Sequence, residues 1–184
     1  MGYWNTRGLR GSSFEEMINM TNKVYREKNL AIIQKVPTPI TPMKLDKSKG
    51  VITLAYFDQK STIDYIGAAQ GIPICFDAKE THQGRLPLQN VHQHQVEFME
   101  DFQKQGGISF LLVNCKDADE CYFLPLKVLK EYWTNAQNGG RKSIPYTAFE
   151  EKYSIRQTGN LLHYLEAVSL YLEETEKQGS EESC

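Results

Sequence analysis

The chain has 184 residues, of which 40% are hydrophobic, 24% charged and 11% aromatic. That is enough apolar mass for one packed domain and too much for a disordered or collagen-like chain. Its formal net charge of −2 taken alone speaks against nucleic-acid binding, for which a basic domain is the usual footprint.

The average conceals an uneven distribution. Residues 1–60 carry a net charge of +5, residues 61–165 carry −2 and residues 166–184 carry −5. An acidic tail offsets a basic first third, so nucleic acid stays among the candidate partners. No apolar run reaches the roughly 18 residues of a membrane span. The polar start, Met1 to Arg10, has no apolar stretch behind Arg7 and Arg10 and does not read as a signal peptide. Cys75, Cys115, Cys121 and Cys184 lack the close pairing of a zinc site. Cys115 and Cys121 could face each other across a hairpin, but thiols in a domain this size suit a reducing compartment, and the expected location is the cytoplasm.

In chain order, Ser13-Phe14-Glu15-Glu16 has capping-box spacing and predicts a helix from about Phe14 to Lys28. Leu30 to Lys35 reads as a strand. Pro37, Pro39 and Pro42 stop regular structure, Lys44, Lys47, Lys49 and Gly50 follow, and Val51 to Phe57 is strand-like again. The segment at about 39–60 is expected to be a basic stalk protruding from one sheet. Thr62–Ile66 and Ile72–Ala78 form a strand pair around Gly67–Gly71. In the second strand Ile72, Ile74, Phe76 and Ala78 share one face, while Pro73, Cys75, Asp77 and Lys79 share the other, polar one.

Asn90 is expected to cap a helix reaching about Gln105, ended by Gly106-Gly107. Ile108–Cys115 and Cys121–Leu126 read as strands, and Lys127–Ala136 and about Asn160–Glu174 as helices. The fold class is α/β in the broad sense (α+β), a mixed sheet flanked by helices. Residues 1–176 form one domain and 177–184 an acidic, disordered tail.

The sharpest chemical feature is Asp64 followed by Asp77-Ala78-Lys79. By strand parity Asp77 and Lys79 share a face, as do Thr62 and Asp64, and a hairpin brings the two faces together. Paired carboxylates suit Mg²⁺, a hard cation that prefers oxygen ligands. A cation so held activates water and offsets charge on a phosphoryl group, and the lysine adds a fixed positive charge. This is the D…(D/E)xK arrangement of metal-dependent nucleases. As a bare pattern it is weak, because D-x-K recurs by chance, and taken alone it reads more simply as a surface salt bridge between Asp77 and a neighbouring lysine. Val91, Gln95, Phe98 and Phe102 follow helical spacing, so Gln95 interrupts an apolar stripe and needs a partner there, either backbone or the site itself. His92 and His94, two apart, point away from each other if both are helical. All four histidines read as non-catalytic, with His82 and His92 candidate DNA contacts. Gly139-Gly-Arg-Lys-Ser143 is a surface loop that lacks P-loop spacing.

These residues, together with Asn5-Thr-Arg-Gly8, Phe14–Asn22, Lys35-Val-Pro-Thr-Pro39, Ala55-Tyr-Phe57, Ser61–Tyr65, Phe76–Thr81, Pro87-Leu-Gln-Asn90, His92–Gln95 and Gly140–Ile144, resemble the RecU Holliday junction resolvases of Gram-positive bacteria and their phages. The resemblance covers nearly the whole chain except the acidic tail. It implies a restriction-endonuclease-like fold with a stalk, a homodimer, and paired symmetric nicking of four-way DNA junctions in recombination and repair. It also implies metal ligation by Thr62, Asp64, Asp77 and Gln95, catalysis by Asp64, Asp77 and Lys79, and an approach of Glu15 or Glu16 to the site. The cofactor implied is Mg²⁺, with Mn²⁺ able to substitute. Arg7, Arg10, Lys44, Lys47, Lys49, Arg85, Arg141 and Lys142 are the candidate DNA contacts, and a RecA-type recombinase is a candidate partner. Members of the family usually carry Glu at the position of Asp77 and a longer basic N-terminal arm. These departures keep two alternatives open: a junction-binding or recombinase-modulating protein without activity, and a less selective nuclease of branched DNA.

Overall fold

The computed structural model describes residues 13–57 and 62–181. Arg7, Arg10 and the Asn5–Gly8 segment lie outside the described residues. Helix α1 (Ser13–Glu27) leads into a five-stranded sheet made of β1 (Ala31–Lys35), β4 (Tyr65–Ala69), β5 (Ile72–Thr81), β7 (Ile108–Cys115) and β8 (Glu120–Pro125), in the spatial order β1-β4-β5-β7-β8. Among the described residues only β5 and β7 pair in parallel, and helix α2 (Gln93–Lys104) is the crossover between them. A parallel pair requires such a crossover. Helices α3 (Leu126–Gln137) and α4 (Tyr164–Glu181) complete the layers, and two-stranded ribbons join β6 (Arg85–Pro87) to β9 (Ser143–Pro145) and β10 (Gln157–Thr158) to β11 (Leu161–Leu162). A mixed sheet flanked by helices is the fold class that the sequence predicts.

Strand parity divides the core. Phe14 and Ile18 of α1 and Tyr164 and Val168 of α4 pack on Tyr65, Ile74, Phe76, Phe110 and Phe123 on one face of the sheet. On the other face Val96 and Met99 of α2 and Leu126 and Leu129 of α3 pack on Cys75, Leu111, Val113 and Leu124. Tyr65, Phe76, Phe110 and Phe123 form an aromatic ladder across four neighbouring strands, with centroids 4.5–4.9 Å apart. Offset aromatic pairs at this spacing add to simple area burial. The face of β5 that carries Asp77 is therefore a second core rather than the solvated surface that its polar residues suggest. Cys115 and Cys121 belong to opposite faces, because Asn114 rather than Cys115 sits across from Cys121. Cys75, Cys115 and Cys121 are buried free thiols.

The stalk is a hairpin of β2 (Ile40–Asp46) and β3 (Val51–Phe57), hydrogen-bonded only to itself as a sheet. Pro37 and Pro39 fall in the stretch 36–39 between β1 and β2, outside any strand, as expected, but Pro42 does not stop regular structure. Pro42 lies inside β2, where the register shifts between Pro42 and Lys44 absorb its missing donor. Asp46 accepts bonds from Ser48 and from the Lys49 amide and shapes the tip, and Gly50 takes φ 63°.

Other boundaries moved for local reasons. The turn between β4 and β5 is the two-residue Gln70-Gly71, both at positive φ, as a tight hairpin demands. Gly67 is thus not part of the turn. It lies mid-strand opposite Ile33, where a Cβ would collide with the Ile32 carbonyl of β1. Thr62 to Asp64 precede β4, so parity does not place Thr62 and Asp64 on one face. Ser13 is already helical. Residues Leu88–Asn90 form a 3₁₀ turn, and His92 rather than Asn90 is the N-cap of α2. Helix α4 starts at Tyr164, after the β10–β11 ribbon, and continues to Glu181 where disorder was expected.

Candidate active site

The tertiary structure converges Asp64, Asp77, Lys79 and Gln95 from three separate segments. Asp77 and Lys79 point from β5 toward α2. Asp64 stands at the entrance of β4 and is fixed by two backbone bonds: its Oδ2 accepts from the Ala78 N–H at 3.0 Å, and its carbonyl accepts from the Val36 N–H at 2.8 Å. Buried Ile63 and Tyr65 on either side hold the segment in place.

Asp77 is fully buried. Its Oδ1 accepts a hydrogen bond from the Gln95 amide nitrogen at 3.1 Å. Its Oδ2 has no hydrogen bond among the described residues and is ion-paired with the Lys79 ammonium. Gln95 is 6% exposed. Its Oε1 accepts from the His92 N–H at 3.0 Å and lies 3.5 Å from Lys79 Nζ. One side chain therefore caps α2 and aligns a carboxylate of the sheet. The apolar stripe expected to surround it is shifted: Val96 and Met99 are buried beside Gln95, whereas Phe98 and Phe102 are half-buried.

Burial and the neighbouring Asp77 charge raise the pKa of Asp64 to about 7, and the Ala78 amide and Lys79 only partly offset this. With no cation beside it, the ionised form of Asp64 is disfavoured by its desolvation and by the Asp77 charge. The donor set is all oxygen, with one carboxylate wholly desolvated and one partly so, and a hard divalent cation fits it. No group of three or more His, Cys, Asp or Glu side chains converges among the described residues. Further ligands would have to be neutral oxygens or water, which is how Mg²⁺ is usually held.

The structure does not join the remaining candidates to this cluster in the same way. Thr62 is exposed and, among the described residues, makes no hydrogen bond to Asp64, Asp77 or Gln95. Lys44, Lys47 and Lys49 are exposed on the stalk, with Lys49 3.8 Å from Asp46. Arg85, Arg141 and Lys142 gather at the β6–β9 ribbon. Glu15 pairs with Lys35 at 2.6 Å, and the Tyr65 hydroxyl donates to the Glu15 carbonyl at 3.5 Å. The Glu15–Lys35 pair flanks the entrance of β4, since Lys35 faces Tyr65 in register. Nothing in the spacing of Lys35 marks it in advance. The cap was legible in principle, because His92 and Gln95 have capping-box spacing with an unusual first residue. His92 and His94 do not point apart: His92 is extended, and the two rings stack with centroids 5.4 Å apart.

The model of the RecU family, recombination protein U, matches residues 9–170. The chain belongs to the RecU family. Holliday junction resolvase RecU of Pediococcus pentosaceus is 42% identical to it over 172 residues, covering 90% of this chain and 86% of that one. Holliday junction resolvase RecU of Limosilactobacillus reuteri is 44% identical over 165 residues, covering 86% and 81%. A solved structure of Hjc, a Holliday junction resolvase from Archaeoglobus fulgidus, covers 76% of this RecU chain and 91% of that chain, with 13% identity and a TM-score of 0.45.

Proposed function

We propose that this RecU chain is a Holliday junction resolvase, a metal-dependent endodeoxyribonuclease that nicks two opposed strands of a four-way DNA junction. The observation that carries the reading is the convergence of Asp64, Asp77, Lys79 and Gln95 in one cluster of a RecU-family chain. Asp64 and Asp77 would hold Mg²⁺, or Mn²⁺ in its place; Thr62, and Gln95, whose Oε1 now accepts from the His92 N–H, would turn toward the ion to serve as further oxygen donors. When bound, the cation supplies Lewis acidity and a more acidic water. Asp77 is kept in position by the Gln95 amide on Oδ1, so its Oδ2, ion-paired with Lys79 in this structure, is presented to the site without conformational search. Asp64 is oriented by the Ala78 N–H. Lys79, released from its ion pair, lays its ammonium beside the scissile phosphate, where charge accumulates as the phosphorus–oxygen bond breaks. Desolvation strengthens that contact.

A two-fold homodimer presents one site to each of two symmetric strands. The lysines of the β2–β3 stalk, with Arg7, Arg10, Arg85, Arg141 and Lys142, contact phosphates and so position the junction without reading sequence. The protein acts in the cytoplasm, in recombination and repair, and a RecA-type recombinase is a candidate partner.

The test is cleavage of an end-labelled mobile junction and a linear duplex in Mg²⁺ or Mn²⁺. Paired symmetric nicks confined to the junction are expected. Binding without cleavage in either metal refutes the enzymatic reading, and equal cutting of duplex refutes the selectivity. Lys79→Ala is expected to bind the junction and not cut it.

A further inference from the structure

A cleft of about 690 Å³ opens between α3 and the β6–β9 ribbon. Its lining includes Arg85, Gln89, Trp133, Gln137, Arg141 and Lys142, and no acidic residue among the described ones. Its charge is uncompensated. Lys35, Lys79, Lys116, Lys130, Lys152 and Arg156 each hold an acidic partner. Arg85 and Lys142 have no ion pair among the described residues, and Arg141 bonds only the neutral Ser143 hydroxyl at 3.2 Å. Three unpaired cations around a concave wall focus positive potential into it.

The cleft is built into the framework of the active site. The Leu88 N–H donates to the Lys142 carbonyl at 3.1 Å, which ties the basic turn to the segment that leads through His92 to Gln95. Gly140 cannot become a larger residue without meeting Asn135 at the end of α3, so the turn carrying Arg141 and Lys142 is seated on the helix that carries Trp133. Trp133 is half-buried, with part of its surface on the cleft. Cations that hold phosphates beside an indole that takes a base are the two components of a single-strand binding groove. A base paired within a duplex has no free face to offer such an indole.

We propose that this cleft binds an unpaired stretch of DNA next to the scissile position, with phosphates on Arg85, Arg141 and Lys142 and one unstacked base on Trp133. This rests on the junction-resolving function and adds where the strand leaving the crossover is held. Arm duplex alone would use the three cations and leave Trp133 idle.

The test uses the full chain in a Trp4→Phe background, in EDTA so that nothing is cut, with oligo-dT and a blunt duplex of equal length as probes. Oligo-dT is expected to quench Trp133 fluorescence, and the duplex is expected to leave it unchanged. By anisotropy, Trp133→Ala is expected to weaken oligo-dT about 5- to 100-fold, the equivalent of one lost base stack, while Trp133→Phe retains most of the affinity. Arg141→Ala with Lys142→Ala is expected to weaken both probes and flatten their salt dependence. A parent chain that does not bind oligo-dT overturns the proposal, as does a folded Trp133→Ala variant that binds it like the parent. Junction cleavage by the same parent preparation in Mg²⁺ separates the two failures. If the parent cuts junctions but Trp133 proves idle, only the strand-binding cleft is lost; if it cuts nothing, the resolvase reading fails by itself.

Discussion

Gln95 joins the fold to the chemistry, and replacing it makes a quantitative demand. Gln95→Ala removes the 3.1 Å bond to Asp77 and the 3.0 Å acceptor for the His92 N–H. A bond to a charged, buried acceptor is worth about 1.5–3 kcal/mol. Loss of a helix cap costs about 0.5–2 kcal/mol. The sum is about 2–5 kcal/mol, and for a chain of this size each kcal/mol lowers Tm by about 2–4 °C. Thermal unfolding in EDTA, followed by circular dichroism, should therefore drop by roughly 4–20 °C. Gln95→Glu separates the two contributions. It keeps an oxygen for the His92 N–H but sets a third carboxylate against Asp77 and Asp64. It should lose stability in EDTA and recover most of it in millimolar Mg²⁺, with a larger metal-induced rise in Tm than the parent shows. A Gln95→Ala variant that melts within about one degree of the parent refutes the claim that this amide is a buried tie. A Gln95→Glu variant indifferent to Mg²⁺ refutes the metal assignment of the cluster.

The raised pKa of Asp64, about 7 against 3.8, fixes the sign of a pH effect. An acid whose folded pKa is elevated contributes stability that is fully present below its unfolded pKa and is lost as pH rises through the folded one. Urea midpoints in EDTA should decline between about pH 4 and pH 7 more steeply for the parent than for Asp64→Asn, and Mg²⁺ should remove the difference; parallel profiles for the two proteins refute the shift. Gly67→Ala forces a methyl into the Ile32 carbonyl and should cost at least the roughly 1–3 kcal/mol of an overpacked core site, read from the urea midpoint; an unchanged midpoint means that β1 and β4 are not as close as described. Replacing Lys44, Lys47 and Lys49 together by Gln should lower the slope of log affinity against log salt for junction DNA by up to about 3, near one for each phosphate no longer neutralised. An unchanged slope removes the stalk from the DNA interface.

Much of the frame was legible in the residues because it depends on local periodicity. Parity along Ile72–Ala78 set Asp77 and Lys79 on one face, helical spacing marked Gln95 as a polar break in an apolar stripe, and the charge split located a basic first third behind a net charge of −2. The motif resemblance pointed to the RecU family. Boundaries that depend on pairing were not legible. Pro42 sits in a strand because a partner strand offers a bulge to absorb it, and Gly67 is a mid-strand residue because β4 pairs with the neighbouring β1 there, so closely that a Cβ would meet the Ile32 carbonyl. His92 displaced Asn90 as the cap because Gln95 turned back to bond it.

Sequence by itself determined which residues could do chemistry and which way each points within its own strand or helix, since both follow from backbone period. Only the tertiary structure decided what surrounds them. Parity makes the Asp77 face of β5 polar, but α2 covers that face, burying Asp77 completely and leaving Asp64 desolvated beside its charge, with a pKa raised to about 7. It also brought Arg85 beside Arg141 and Lys142, distant along the chain, through the β6–β9 ribbon. Side-chain direction is a local property of the backbone; dielectric surroundings and charge neighbours belong to the packed whole.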